Sequence, residues 1–335
     1  MNSPTPTPVP TVALHHRSSS TVRSTISTPS GRAAPVFGAA IQLTIGVGMA
    51  AWLAACGGGA PSPELTPAPP EQASAPTPPS PALATPAGLS VVGPVDLETI
   101  PSGPQGDTIR RGRELVMDSH RLMPDNVGNG LNCTNCHING GTTPKAAPYV
   151  GVTDRYPKYR ARSGKVDNLE ERVNGCMERS MAGKALDPES DEMRAIVAWM
   201  TWLSKDVPDG KAVQDIGMPR IQPPAPPDPV RGEALYATKC AACHQPDGQG
   251  MFAPDGKTLF PPLWGERSFN IGAGMARLHT AAAFVKWNMP QGQGGTLTDQ
   301  EAYDLAAFFT VQPRPDLAKK GLDWPKGDKP EDARY

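Results

Sequence analysis

Surplus charge is what this chain lacks first. Its 32 Lys and Arg residues meet 33 Asp and Glu residues, for a formal net charge of −1. A nucleic-acid face needs an excess of cations, so the composition gives no footing for a nucleic-acid partner. Long apolar runs are absent but for one, at 36–55. Cysteine is sparse as well, with six residues in 335. Proline is plentiful but uneven: thirteen of the 40 fall between Pro61 and Pro104, which marks that stretch as a linker. The remaining length suffices for two ordinary domains.

Four of the six cysteines stand in two copies of one motif. Cys133-Thr134-Asn135-Cys136-His137 is the first and Cys240-Ala241-Ala242-Cys243-His244 the second. In C-x-x-C-H the two thiols add to the vinyl groups of haem, and the adjacent imidazole ligates the iron. Two C-x-x-C pairs would also suit a zinc site. Each pair, however, carries its own histidine, which favours two covalently bound haem c groups. His137 and His244 are then the proximal iron ligands.

The apolar run Val36–Ala55 carries no charge and follows Arg17, Arg23 and Arg32, the layout of a signal sequence. At 20 residues it is also long enough to span a bilayer. Leu53-Ala54-Ala55-Cys56-Gly57 resembles a bacterial lipobox, which implies lipidation at Cys56 and a membrane anchor. A Cys56–Cys176 disulfide is the alternative use of these two residues. Either way the haem domains are expected outside the cytoplasm, on the periplasmic side of a bacterial membrane.

Aligning the two motifs exposes an internal repeat. Arg111-Gly112 precedes the first and Arg231-Gly232 the second. Pro148-Tyr149-Val150-Gly151 and Pro262-Leu263-Trp264-Gly265 follow them. Leading helices are expected at Thr108–His120 and Arg231–Lys239. Closing amphipathic helices are expected at Ser190–Ser204, with Met193, Ile196, Val197, Met200 and Leu203 as the apolar stripe, and at Thr298–Val311, with Leu305, Phe308 and Phe309. Ser190 reads as an N-cap and Thr298–Glu301 as a capping box. The pattern resembles class I cytochrome c, and the resemblance implies a proline carbonyl as acceptor for each proximal ring N–H, with Pro148 and Pro262 as the candidates. The expectation is an all-α fold of two such domains in tandem, each with one haem c. The boundaries follow: 1–55 signal sequence with lipobox, 56–104 Pro-rich tether, 105–206 domain one, 207–227 linker, 228–313 domain two, and 314–335 a polar tail lying over the surface.

Each iron needs a sixth ligand. Met289 stands 45 residues after His244, in Asn288-Met289-Pro290, and is the candidate for the second haem. His279, Met275 and Met251 compete with it. For the first haem Cys176 stands 39 residues after His137, with Met181 next in line. The segment 169–181 reads as helical, so Arg172, Cys176 and Ser180 share one face. Composition alone also allows these arginines to be a solvated face balanced by Glu170, Glu171 and Glu178.

The run Glu171-Arg172-Val173-Asn174-Gly175-Cys176-Met177-Glu178-Arg179-Ser180-Met181 is similar to the cysteine segment of the dihaem thiosulfate dehydrogenases. The resemblance implies a catalytic first haem with His/Cys ligation and a second, His/Met haem that passes electrons on. It also implies that Arg162, Arg172 and Ser180 line the substrate pocket around Cys176. The implied reaction joins two thiosulfates into tetrathionate, reversibly, and gives the electrons to an external cytochrome c-type acceptor. Two positions depart from the family: Ala161 where an acidic residue is expected, and Asn288 where some members carry a Lys. Two other readings fit the same motifs. One is a dihaem cytochrome that only relays electrons. The other is a sulfur-oxidation cytochrome that conjugates thiosulfate to a carrier protein.

Overall fold

Proline decides where both leading helices begin. In the computed structural model, which describes residues 90–207, 213–214 and 216–335, α1 spans Pro104–Met117. The N1 position suits Pro104, which has no N–H to leave unpaired and a φ already close to helical. The helix therefore starts before the expected Thr108. It ends before Asp118, where a separate turn, α2 (Ser119–Leu122), sets off. A turn, α3 (Ile138–Gly141), follows the first haem motif. The cysteine-bearing helix α4 (Leu169–Arg179) is closed at its start by a capping box. The Asn168 side chain accepts from the Glu171 N–H, and the Glu171 carboxylate accepts from the Asn168 N–H. Helix α5 (Asp191–Ser204) is capped by Ser190, as its sequence implies.

The second copy repeats the plan. Pro229 starts α6 (Pro229–Lys239), and Asp228 caps it. The second motif forms a turn, α7 (Ala241–His244). Then come α8 (Leu278–Asn288) and α9 (Asp299–Thr310), the latter with the expected Thr298–Glu301 capping box.

In each copy the first helix crosses the last, α1 on α5 and α6 on α9. Glycine makes both crossings possible. A Cβ on Gly112 would lie 1.9 Å from the Ala195 carbonyl oxygen, and one on Gly232 would lie 2.0 Å from that of Asp304. Backbone cannot yield as a flexible side chain does. Gly112→Ala should therefore destabilise the haem-loaded protein by about 1–3 kcal/mol, the usual cost of overpacking, read as a lowered melting temperature.

The core of domain one holds Leu115, Met193, Ile196 and Trp199. Trp199 stacks on Trp202 with centroids 5.3 Å apart and donates from Nε1 to the Gly140 carbonyl at 2.8 Å. Val197, expected in the stripe, is only half-buried. Tyr236, Trp264 and Phe308 pack ring against ring in domain two. Among the described residues three short two-stranded ribbons interrupt the otherwise helical fold: Ser90–Val91 with Val213–Gln214, Lys158–Arg160 with Lys165–Asp167, and Met251–Phe252 with Thr258–Phe260.

The domains share one compact unit. Asn129 bridges them, donating to the Ser180 and Ser268 carbonyls at 2.9 and 3.1 Å. The segment after Pro313 does more than coat the surface. Leu317 and Trp324 are buried, and the Trp324 N–H donates to the Arg162 carbonyl in domain one. Long-range apolar contact, which local polarity does not reveal, holds this tail down. Among the described residues no helix is long and apolar enough to cross a membrane. The run 36–55 and Cys56 lie outside the described residues.

Candidate active site

The first haem motif folds as a tight turn, Cys133–Asn135, that presents both thiols and His137 to one cavity. His137 Nδ1 lies 2.6 Å from the Ala147 carbonyl oxygen. A carbonyl only accepts, so Nδ1 donates to it and Nε2 is the ring nitrogen left to hold a metal. His244 repeats this in domain two, with Nδ1 2.9 Å from the Pro261 carbonyl. The acceptors are thus the residues just before Pro148 and Pro262, not those prolines. A residue preceding proline is sterically confined, which fixes where its carbonyl points.

The cavity suits a haem by its chemistry. Two attachment thiols and a histidine sit together, and the walls are largely apolar: Leu131, Val173, Met177, Ile196, Met200 and Phe269. Domain two supplies Phe269 and also Met275, so both domains close the first site. Cys176 and Met181 line the same space.

The structure places Arg172 and Cys176 together. Arg172 Nη1 donates to Cys176 Sγ at 2.7 Å, as expected for residues one turn apart on α4. Burial alone would push the Cys176 thiol up, but the Arg172 charge and the His137 imidazole outweigh it and pull it down to about 6. The two attachment thiols behave in the opposite way. Burial pushes Cys133 up to about 11 and Cys136 up to about 12. Cys176 alone of the three is set up as a thiolate.

A second, polar cavity abuts the first. Arg160, Arg162, Lys165, Arg172, Arg179 and Arg277 line it, against the carboxylates of Asp167, Glu171, Glu178 and Asp328. Cys176, Arg172, Arg160 and Ser180 border both cavities, so the sulfur sits at their junction. The carboxylates do not neutralise Arg172. Glu171 pairs with Lys165, and Glu178 with Lys319. The solvated-face reading of the arginines therefore fails at Arg172. Ser180 caps α4 rather than lying within it. Arg162 borders the polar cavity, but its Nη1 is engaged by the Gly272 carbonyl, Asp323 and the Tyr335 hydroxyl. Ala161, the departure from the acidic pattern, lines the polar cavity as well.

Sequence reasoning missed Arg179, Arg277 and Asp323. Arg179 lies one turn beyond Cys176 on the same helix, so helical spacing was a usable signal. Asp323 is 144 residues from its partner Arg179, and nothing local marks it.

In domain two Cys240, Cys243 and His244 occupy the second motif. Met289 caps α8 and packs partly buried against the core. Of its competitors, His279 has both ring nitrogens occupied, Nδ1 by Tyr303 at 3.0 Å and Nε2 by Glu331 at 3.2 Å. Met251 is exposed, and Met275 faces the first cavity. Asn288 is buried and donates to the Lys145 and Phe284 carbonyls.

The SoxA/TsdA cytochrome c domain family matches residues 125–208, and the cytochrome c family matches 229–310. The chain is 45% identical over 250 residues to a thiosulfate dehydrogenase of Psychrobacter arcticus, covering 75% of this chain and 76% of that protein. It is 45% identical over 247 residues to the thiosulfate dehydrogenase of Allochromatium vinosum, covering 72% and 88%. Among solved structures it resembles thiosulfate dehydrogenase (TsdBA) from Marichromatium purpuratum in its as-isolated form, at 37% identity and a TM-score of 0.64. That match covers 67% of this chain and 49% of the other, so the chain spans about half the length of that protein.

Proposed function

The chain belongs to the thiosulfate dehydrogenases, dihaem c-type cytochromes that oxidise thiosulfate, and on that footing we propose that it joins two thiosulfate dianions into tetrathionate at Cys176. The observation that carries this reading is the position of Cys176. It stands between the apolar cavity bearing the haem motif and the arginine-lined polar cavity, 2.7 Å from Arg172.

Cys133, Cys136 and His137 would hold the first haem, and Cys240, Cys243 and His244 the second, with Cys176 as a further ligand in domain one and Met289 in domain two. When bound, the two groups would supply the redox chemistry, one electron per iron, with an external cytochrome c-type protein as the final acceptor.

The chain's own residues do the rest. Two dianions repel, at roughly 4 kcal/mol for each pair of unit charges 4 Å apart at an effective dielectric of 20. Arg162 and Arg172 offset this, because guanidinium stays charged and forks onto oxyanions. The Cys176 thiolate bonds to the outer sulfur of one thiosulfate, giving a cysteinyl thiosulfonate and two electrons. The outer sulfur of a second thiosulfate then attacks that same sulfur. The new bond makes tetrathionate, the bond to Cys176 breaks, and the thiolate returns with the electron pair. Ser180 donates to an oxyanion beside the sulfur. Every step is reversible, so the same residues serve tetrathionate reduction.

The lipobox at Cys56 supports a lipid anchor on the periplasmic side of a bacterial membrane. The test is purified protein with both haems, given thiosulfate and an artificial acceptor. Tetrathionate should form at half the thiosulfate consumed, and low-temperature electron paramagnetic resonance should resolve one thiolate-ligated and one methionine-ligated low-spin iron. Methionine signals from both irons, with no tetrathionate, would leave only an electron relay.

A further inference from the structure

The tail that follows domain two reaches the substrate cavity of domain one. Its Asp323 is buried, with a side chain 4% exposed, and it serves two guanidiniums at once. Arg162 Nη1 lies 2.8 Å from Oδ2, and Arg179 Nη2 lies 2.5 Å from Oδ1. The Tyr335 hydroxyl donates to the same Oδ2, and Arg162 Nη1 donates to that hydroxyl at 3.0 Å. The next residue, Trp324, lies under the Arg162 guanidinium at 4.4 Å. The tail is seated closely, since a Cβ on Gly164 would fall 2.5 Å from Pro325.

Two features fix the sense of this arrangement. Arg162 and Arg179 line the polar cavity, but Asp323 and Tyr335 do not. The carboxylate therefore stands behind the arginines and does not occupy the place of an incoming anion. The side-chain hydrogen bonds of Arg162 leave from Nη1, two to the tail at Asp323 and Tyr335 and one to the Gly272 carbonyl of domain two, so this end of the guanidinium is the tethered one. The Arg179 Nε–H is buried beside the cavity and has no partner. One carboxylate against two guanidiniums also leaves a net positive charge at this wall.

We propose that Asp323 is a positioning residue for thiosulfate: it clamps Arg162 and Arg179 from behind, so that the tail of domain two completes the anion site of domain one. The inference rests on the thiosulfate reading above. Without the carboxylate the two guanidiniums lose their shared acceptor. An amide in its place turns an N–H toward one of them, and that arginine leaves the wall. Substrate capture then suffers more than chemistry at Cys176, which Asp323 does not touch.

The experiment is steady-state thiosulfate oxidation by the full-length protein with both haems, as wild type, Asp323→Asn, Asp323→Glu and Tyr335→Phe. Asp323→Asn should raise KM about tenfold and leave kcat within about threefold, the size of effect expected for a lost charge-assisted contact. Asp323→Glu should recover part of the loss. Tyr335→Phe, which removes one hydroxyl, should raise KM about two- to threefold. Haem spectra should match wild type throughout. Should Asp323→Asn fail to fold, Tyr335→Phe decides. A wild type that does not oxidise thiosulfate sinks the reading beneath the proposal. An active wild type whose variants keep its KM, or lower it, overturns this inference alone.

Discussion

Replacing Cys176 with alanine should leave both haems attached and lower kcat for thiosulfate oxidation by at least about 10³-fold, the scale seen when a group that acts as part of a catalytic unit is removed. Attachment is unaffected because it runs through Cys133, Cys136, Cys240 and Cys243. The fold should hold as well. Cys176 lies within α4, where alanine is the most favourable residue, and it is half-buried rather than a core anchor. What is lost is the sulfur at the junction of the two cavities, poised as a thiolate by Arg172 and His137. Steady-state kinetics on a variant with full haem content makes the measurement. Turnover within about tenfold of wild type would remove the nucleophile from the scheme. The resonance signal of the second iron should not move, which separates local loss of a ligand from general damage.

The sequence carried much of this site, and the reason is spacing. The two C-x-x-C-H motifs declare their chemistry in five residues. Helical periodicity put Arg172 one turn from Cys176, and their contact at 2.7 Å follows from that register. Capping chemistry located the starts of α5 and α9, because Ser190 and Thr298 act through backbone groups three residues away. Other features depend on distance along the chain and leave no local mark. Asp323 answers to Arg162 and Arg179 only because the tail folds back over domain one. The entry of Met275 and Phe269 into the first cavity depends in the same way on how the two domains meet. The histidine acceptors were misplaced by one residue. Sequence marks the proline, while the carbonyl that matters belongs to the residue it constrains.

Arg172→Gln should lower kcat/KM for thiosulfate by about 100-fold, since a hydrogen bond to a charged partner is worth about 1.5–3 kcal/mol and a monopole for the substrate is lost with it. Two functions fail together. The cysteine loses the nearest cation holding it as thiolate, and the polar cavity loses the guanidinium closest to the reacting sulfur. Glutamine keeps the aliphatic stem and a donor, so packing on α4 changes little. Arg172→Lys separates the two contributions. It keeps the charge but gives up the planar fork, and should fall between the variants, at about tenfold below wild type. The loss should also persist at moderate salt, because the Arg172–Cys176 contact, at 2.7 Å, is far shorter than the screening length. A glutamine variant with wild-type kcat/KM would mean that the first anion docks elsewhere. Of the remaining cavity cations, Arg160, Arg162, Arg179 and Arg277 would then be the next to substitute.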